Sequence, residues 1–156
     1  AFGIDSLLNG EVDVVGGWII NEGQLVREAG QEPNVILLSD YGFDSYDFLV
    51  ITTEDMIANQ KEVVAKFMRA FRQGLQDTVS NPDKAVELAV SYKPSLDLAG
   101  QKARIQIFLP LINPAGGTLG GLDPEIFQFN YNLLLNGGVI TQPYDVTQAY
   151  TLDFVK

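Results

Sequence analysis

Two rhythms divide the chain. Up to residue 53 the apolar positions gather in short β-branched runs separated by glycines, and beyond residue 60 they recur at intervals of three and four. "EVDVVGG" (residues 11–17) reads as a buried strand ending in glycine, "NVILLS" (34–39) as a second and "FLVITT" (48–53) as a third. Short helices fall between them. "FGIDSLLNG" (2–10) reads as the end of a helix closed by Asn9-Gly10. "NEGQLVREAG" (21–30) reads as a helix that Asn21 caps, with Gln24 three residues on as in a capping box, and that Gly30 stops. Helix between short apolar strands predicts an α/β architecture with parallel pairing.

The second rhythm predicts helices. Thr53 is placed to cap the one that begins "EDMI". In "QKEVVAKFMRAFRQGLQDTV" (60–79), Val63, Val64, Phe67, Met68, Phe71 and Leu75 recur at helical spacing, which predicts a core stripe; Lys61, Lys66, Arg69 and Arg72 take the other face. Asn81-Pro82 and Asp123-Pro124 each place a cap before a proline suited to the first helical position. They open "DKAVELAVSY" and "EIFQFNYNLLLNGG", the latter stopping at Gly137-Gly138. "LAGQKARIQIFLPLI" (98–112) is a further helix expected to end near Pro110, and the tail from Asp145 is expected to form one more turn. "NPAGGTLGGL" (113–122) reads as a connector and not a phosphate loop, since no Lys-Ser or Lys-Thr follows at the spacing a phosphate cradle needs.

Composition removes whole classes of chemistry. The chain of 156 residues contains neither cysteine nor histidine. Disulfides, thiolate or imidazole metal sites, cysteine nucleophiles and Ser-His-Asp triads are therefore excluded within it. A carboxylate-only metal or acid-base site stays open to such a chain, but its acids lack calcium-loop spacing, and no metal and no cofactor is expected. With 46% hydrophobic and 19% charged residues the chain is globular, and no apolar run approaches a membrane span. No basic n-region and apolar h-region are visible, and the chain opens on Ala1, as a trimmed product would. Charge is lopsided: residues 1–60 hold eleven acids and one base, Arg27, while residues 61–156 hold nine of each. Such an acidic front repels nucleic acid and anionic membranes, and its plainest reading is a solvated face.

Three short strands are few for an α/β domain of this length, because parallel strands need neighbours and crossovers. The expectation is that further strands lie upstream, outside this chain. The order "LLNGEVDVVGGWIINEG", "VILLSDYGFDSYDFLVITTEDMI", the long amphipathic helix and "NPDKAVELAVSY" resembles the extracytoplasmic solute-binding proteins of ABC importers. It is most similar to the branch related to thiamine-pyrimidine synthases and to sulfonate, taurine and riboflavin binders. The closing "GGLDPEIFQFNYNLLLNGGVI" and "AYTLDFVK" resemble that family's C-terminal end.

The resemblance implies a type II periplasmic-binding fold, of which this chain is the C-terminal half. Residues 1–42 would finish the second lobe; residues 43–156 would carry the hinge return strand and the helical end of the first lobe. It implies a non-catalytic receptor in the periplasm or otherwise outside the cytoplasmic membrane, with a lipid anchor as one means of attachment. Its partners would be a small-molecule ligand, of the aromatic nitrogen heterocycle or thiamine-precursor type, and an ABC permease. A second copy or a separate fragment would supply the absent half. A synthase-like enzyme is one alternative; its cysteine-rich stretch and histidine have no counterpart in this chain. A helical interaction module is another.

Candidate binding residues come from two stretches. In "GGWIINEG" (16–23), directly after a strand, Gly16 and Gly17 allow close backbone approach and Trp18, the sole tryptophan, offers a flat face. Asn21 can donate and accept, and Glu22 can accept two hydrogen bonds from an aminopyrimidine-like edge. The spacing by itself favours a plainer account, with Asn21 a cap, Glu22 a complement to the helix dipole and Trp18 a core plug. The family resemblance, whose members carry an Asn-Glu pair here near the ligand, reverses that order for Trp18 and Glu22. In "SDYGFDSY" (39–46), Tyr41 is the candidate cleft wall, Asp44 is either a turn former or a ligand acceptor, and Tyr46 reads as loop packing.

Overall fold

Most local signals for starting and stopping helices are realised as written; the Asn21 cap and the Pro110 stop are not. In the computed structural model, which describes residues 3–112 and 118–155, Thr53 Oγ1 accepts from the Met56 N–H at 3.2 Å. Asn81 Oδ1 accepts from Lys84 N–H at 3.1 Å, and Asp123 Oδ1 from Glu125 N–H at 2.9 Å, each ahead of its proline. Each bond satisfies one of the donors that a helix leaves unpaired at its start. At the other end Gly30 (φ 83°) and Gly138 (φ 72°) take the left-handed conformation that closes a helix.

Two compact units result, Ala1–Ile36 with Gln76–Gly116, and Leu37–Leu75 with Gly117–Lys156. The first holds α1 (Asp5–Leu8), a π-helical turn (Ile19–Gly23) continuing into α2 (Gln24–Glu28), α5 (Pro82–Tyr92) and α6 (Leu98–Ile112). Helix α6 packs against both α5 and the π-turn, and Ile4, Val26, Val86 and Gly100 are buried. Ion pairs sit over these contacts: Arg104 meets Glu28 at 3.2 Å, and Lys102 meets Asp83 at 3.3 Å. Helix α6 runs through Pro110 to Ile112, two residues beyond the sequence expectation. So late in the helix, proline removes a single backbone donor and the turn persists.

The second unit holds a 3-10 turn (Leu38–Tyr41), α3 (Glu54–Asn59), most of α4 (Lys61–Ser80), α7 (Pro124–Asn136) and a 3-10 turn (Val146–Ala149). Val64, Met68 and Val146 are buried. Aromatic contacts tie its segments: Phe127 lies 5.7 Å from Tyr46 and 4.6 Å from Tyr150, and Phe43 meets Phe129 edge-on at 6.4 Å. Lys61, at the start of α4, pairs with Asp153 at 3.0 Å and lies 5.8 Å from the Phe154 ring centroid.

Two sequence expectations are corrected. None of the three strands forms among the described residues. The backbone at their ends is nevertheless extended, at Trp18 (φ −97°, ψ 131°), Leu37 (−81°, 130°) and Thr53 (−89°, 156°). What these runs lack is a ladder partner, and without one an extended segment is not a strand. Within α4, Val64 and Met68 are buried, but Val63, Phe67 and Phe71 are exposed, and Phe67 stacks on Phe71 at 6.2 Å. The apolar stripe is wider than the cover this chain lays over it. The connector 113–122 lies outside the described residues as far as 117; after it, Gly121 N–H bonds to Thr118 O at 2.8 Å.

The tail forms its expected turn. Asp145 caps it, accepting from Thr147 N–H at 3.0 Å and Thr147 Oγ1 at 2.7 Å. These two bonds, the side-chain one foremost, hold the Asp145 carboxyl below the ordinary carboxylate range. A lowered native pKa means the cap is at full strength above the ordinary range and fades as pH falls through the lowered value. Thr147→Ala should return the Asp145 titration toward the ordinary range, as read from its side-chain carbonyl carbon shift. An unchanged titration would show that the hydroxyl is not the cause.

Candidate functional site

The chain leaves its first apolar run through two glycines and enters a helix whose first turn is wide. Trp18 is the N-cap residue, with Asn21 N–H bonded to its carbonyl at 2.9 Å and Gly23 N–H at 3.5 Å, the five-residue reach of a π-turn. The sequence pattern points to Asn21 as cap and Gln24 as its reciprocal partner. The structure instead starts the helix three residues earlier. Glu22 folds back, and its Oε2 accepts from the Trp18 N–H at 2.7 Å. This is the returning half of a capping box, displaced by one residue because the π-turn adds one.

The sequence candidates Gly17, Trp18, Asn21 and Glu22 are thus gathered in one turn of the first unit. Trp18 is 48% exposed, so its ring is not a core plug. Glu22 is half-buried, and Gly17 and Asn21 are exposed. The turn is braced from behind, since α6 packs against it and Arg104 of α6 holds Glu28 of α2. Arg27 is paired with Glu32 at 3.1 Å.

Tyr41 and Asp44 belong to the second unit. Tyr41 is 69% exposed at the end of its 3-10 turn, and Gly42 after it has φ 79°. Asp44 lends its main-chain carbonyl to Asn130 Nδ2 at 2.9 Å, which fixes this loop on α7. Tyr46 is a packing residue, as its sequence context indicates: it lies against Phe127, and its hydroxyl accepts from Asp123 N–H at 2.6 Å. The fold-back of Glu22 has no signature in the sequence beyond a glycine five residues ahead of an acid. Among the described residues no three acids converge closely enough to hold a metal ion, and no helix is long and apolar enough to cross a membrane.

The turn thus presents a half-exposed indole and an anchored carboxylate, an aromatic surface and a hydrogen-bond acceptor on neighbouring residues. The family model described as "NMT1/THI5 like" matches residues 2–85, and the chain belongs to that family, whose fold is periplasmic-binding-protein-like. The matched region contains every candidate residue named above. The chain is 33% identical over 96% of its length to the riboflavin-binding protein RibY of Chloroflexus aurantiacus. It is 29% identical over 94% of its length to the formylaminopyrimidine-binding protein of Halalkalibacterium halodurans. It spans 44% and 46% of those relatives' own lengths. No solved structure gives a significant match.

Proposed function

We propose that the protein containing this chain is a non-catalytic solute receptor that delivers a small, planar, nitrogen-rich heterocycle to an ABC permease outside the cytoplasmic membrane. The observation that carries the reading is the half-exposed Trp18 side chain in the same turn as the Glu22 carboxylate, which the Trp18 main-chain N–H anchors. The ring supplies a stacking face and the acid an acceptor for ring N–H or amino groups, while Asn21 adds a mixed donor and acceptor. The names of the two relatives support the ligand class, since riboflavin and formylaminopyrimidine are both flat nitrogen heterocycles. Both are named as binding proteins, which supports a receptor over an enzyme.

In this reading residues 1–42 complete the second lobe of a two-lobed protein and 43–156 return to the first. The extended runs around Val35–Leu38 and Phe48–Ile51, exposed in this chain, take their ladder partners from the remainder of the longer protein. Lobe closure around the solute provides the signal that the permease reads.

The test is denaturation of the full-length protein with and without riboflavin, formylaminopyrimidine and an alkyl sulfonate. A ligand present at a hundredfold its dissociation constant should add about 2.7 kcal/mol to the unfolding free energy. The heterocycles should shift the transition and the sulfonate should not. A sulfonate shift alone would overturn the ligand class, and no shift with any of them would overturn the receptor reading.

A further inference from the structure

We propose that Gly17 is a positioning residue: its lack of a side chain makes the room in which the Glu22 carboxylate folds back onto the Trp18 N–H, and so fixes the direction of that carboxylate at the binding face. The inference rests on the solute-site reading of Trp18 and Glu22 for its functional consequence, but its structural half stands independently.

The geometry is specific to position 17. A Cβ placed there would lie 2.6 Å from Glu22 Cγ, 2.8 Å from Glu22 Cβ and 2.8 Å from Glu22 Oε2. Carbon atoms without a bond between them do not approach so closely; their optimum is about 3.5–4.0 Å. Rotation about χ1 of Glu22 can carry Cγ and the carboxylate away, but its Cβ is fixed to the helix and moves only with the backbone. An added methyl therefore expels the carboxylate, shifts the π-turn, or both. Either way the 2.7 Å bond from Trp18 N–H to Glu22 is lost.

Backbone conformation does not explain this glycine. The left-handed glycines among the described residues are Gly10, Gly30, Gly42, Gly120 and Gly138, and Gly17 is not one of them. Its main chain is open to an L-residue, so what excludes a side chain is Glu22. Gly16 provides the contrast, because a Cβ there meets nothing within 4 Å. One glycine of the pair is replaceable and the other is not. The space beside Gly17 is also already filled from within the chain, so its function is to seat an acid and not to admit the ligand's own backbone contact.

A carboxylate held in this way has one oxygen engaged by the main chain and the other's lone pairs directed by that engagement. A ligand amino group then meets an acceptor that needs no reorganisation on binding, and less ordering entropy opposes the complex. Without the anchor, the Glu22 carboxylate has no fixed direction and must be ordered on binding.

The experiment uses the full chain with Gly16→Ala, Gly17→Ala, Glu22→Ala, Glu22→Gln and the Gly17→Ala/Glu22→Ala pair. The first readout needs no ligand: amide hydrogen exchange at Trp18. Gly17→Ala and Glu22→Ala should each speed it roughly tenfold, the loss of one hydrogen bond, while Gly16→Ala leaves it unchanged and Glu22→Gln, which keeps an acceptor oxygen, restores most of the protection. The second readout is affinity for 4-aminopyrimidine as probe. Gly17→Ala should weaken it roughly tenfold in the native background and not at all in the Glu22→Ala background, because both changes remove one interaction. Equal exchange at Trp18 in the two glycine variants, or additive losses in the pair, would overturn the positioning role. Intact exchange effects with no 4-aminopyrimidine binding by the native full-length protein would confirm the positioning and overturn the solute-site reading instead.

Discussion

Trp18→Ala should weaken binding of the heterocycle by about 2 kcal/mol, roughly thirtyfold, while leaving the unfolding transition nearly in place. The two halves of that result come from one observation. Loss of a stacking ring costs about 1–3 kcal/mol wherever a flat base rests on it. Truncation of a buried aromatic costs about 3–5 kcal/mol of stability, but Trp18 is 48% exposed, and substitutions at such positions stay within about 0.5–1 kcal/mol. Titration calorimetry for affinity and urea denaturation for stability separate the two. A variant that unfolds several kcal/mol more easily would make the indole a core residue, and the site would have to be sought elsewhere.

The largest stability effect is expected at Met68. It is 8% exposed, and with Val64 it forms the buried face of α4. Met68→Ala should cost about 2–3 kcal/mol, the transfer energy of the lost atoms together with the cavity they leave. Phe67, one position earlier and 56% exposed, should cost under about 1 kcal/mol in the same chain, chiefly the stack on Phe71. Urea midpoints for the two variants decide which side of the helix faces the interior. Equal losses would mean that the whole apolar stripe is core, as its spacing by itself suggests.

That pair of residues also shows where reading a sequence works and where it stops. Asn81, Asp123, Thr53, Gly30 and Gly138 act within one helical turn of themselves, so their meaning is complete in five residues of text. The stripe on α4 is legible as a stripe, but which half of it is covered depends on residues far away in the chain. Strand formation is the extreme case. Val35–Leu38 and Phe48–Ile51 have the right composition, and the backbone at Leu37 is extended, yet a ladder requires a neighbour that none of the described residues provides. At the site, Trp18 and Glu22 are identifiable by chemistry, whereas their coupling is not. It depends on a π-turn that lengthens the reach by one residue, and no composition rule marks such a turn. Asn21 looks like a cap because Asn before an acid usually is one; here the helix has already begun three residues earlier.

The chain contains one tryptophan, and it stands half in water on the proposed binding face. Ultraviolet emission excited on the indole band therefore reports from a single known address, with no label attached. A flat guest laid against that ring would dim the light and shift it to shorter wavelength, and acrylamide would reach the ring less readily. The molecule thus includes its own gauge of occupancy, readable in a cuvette within minutes and at micromolar amounts.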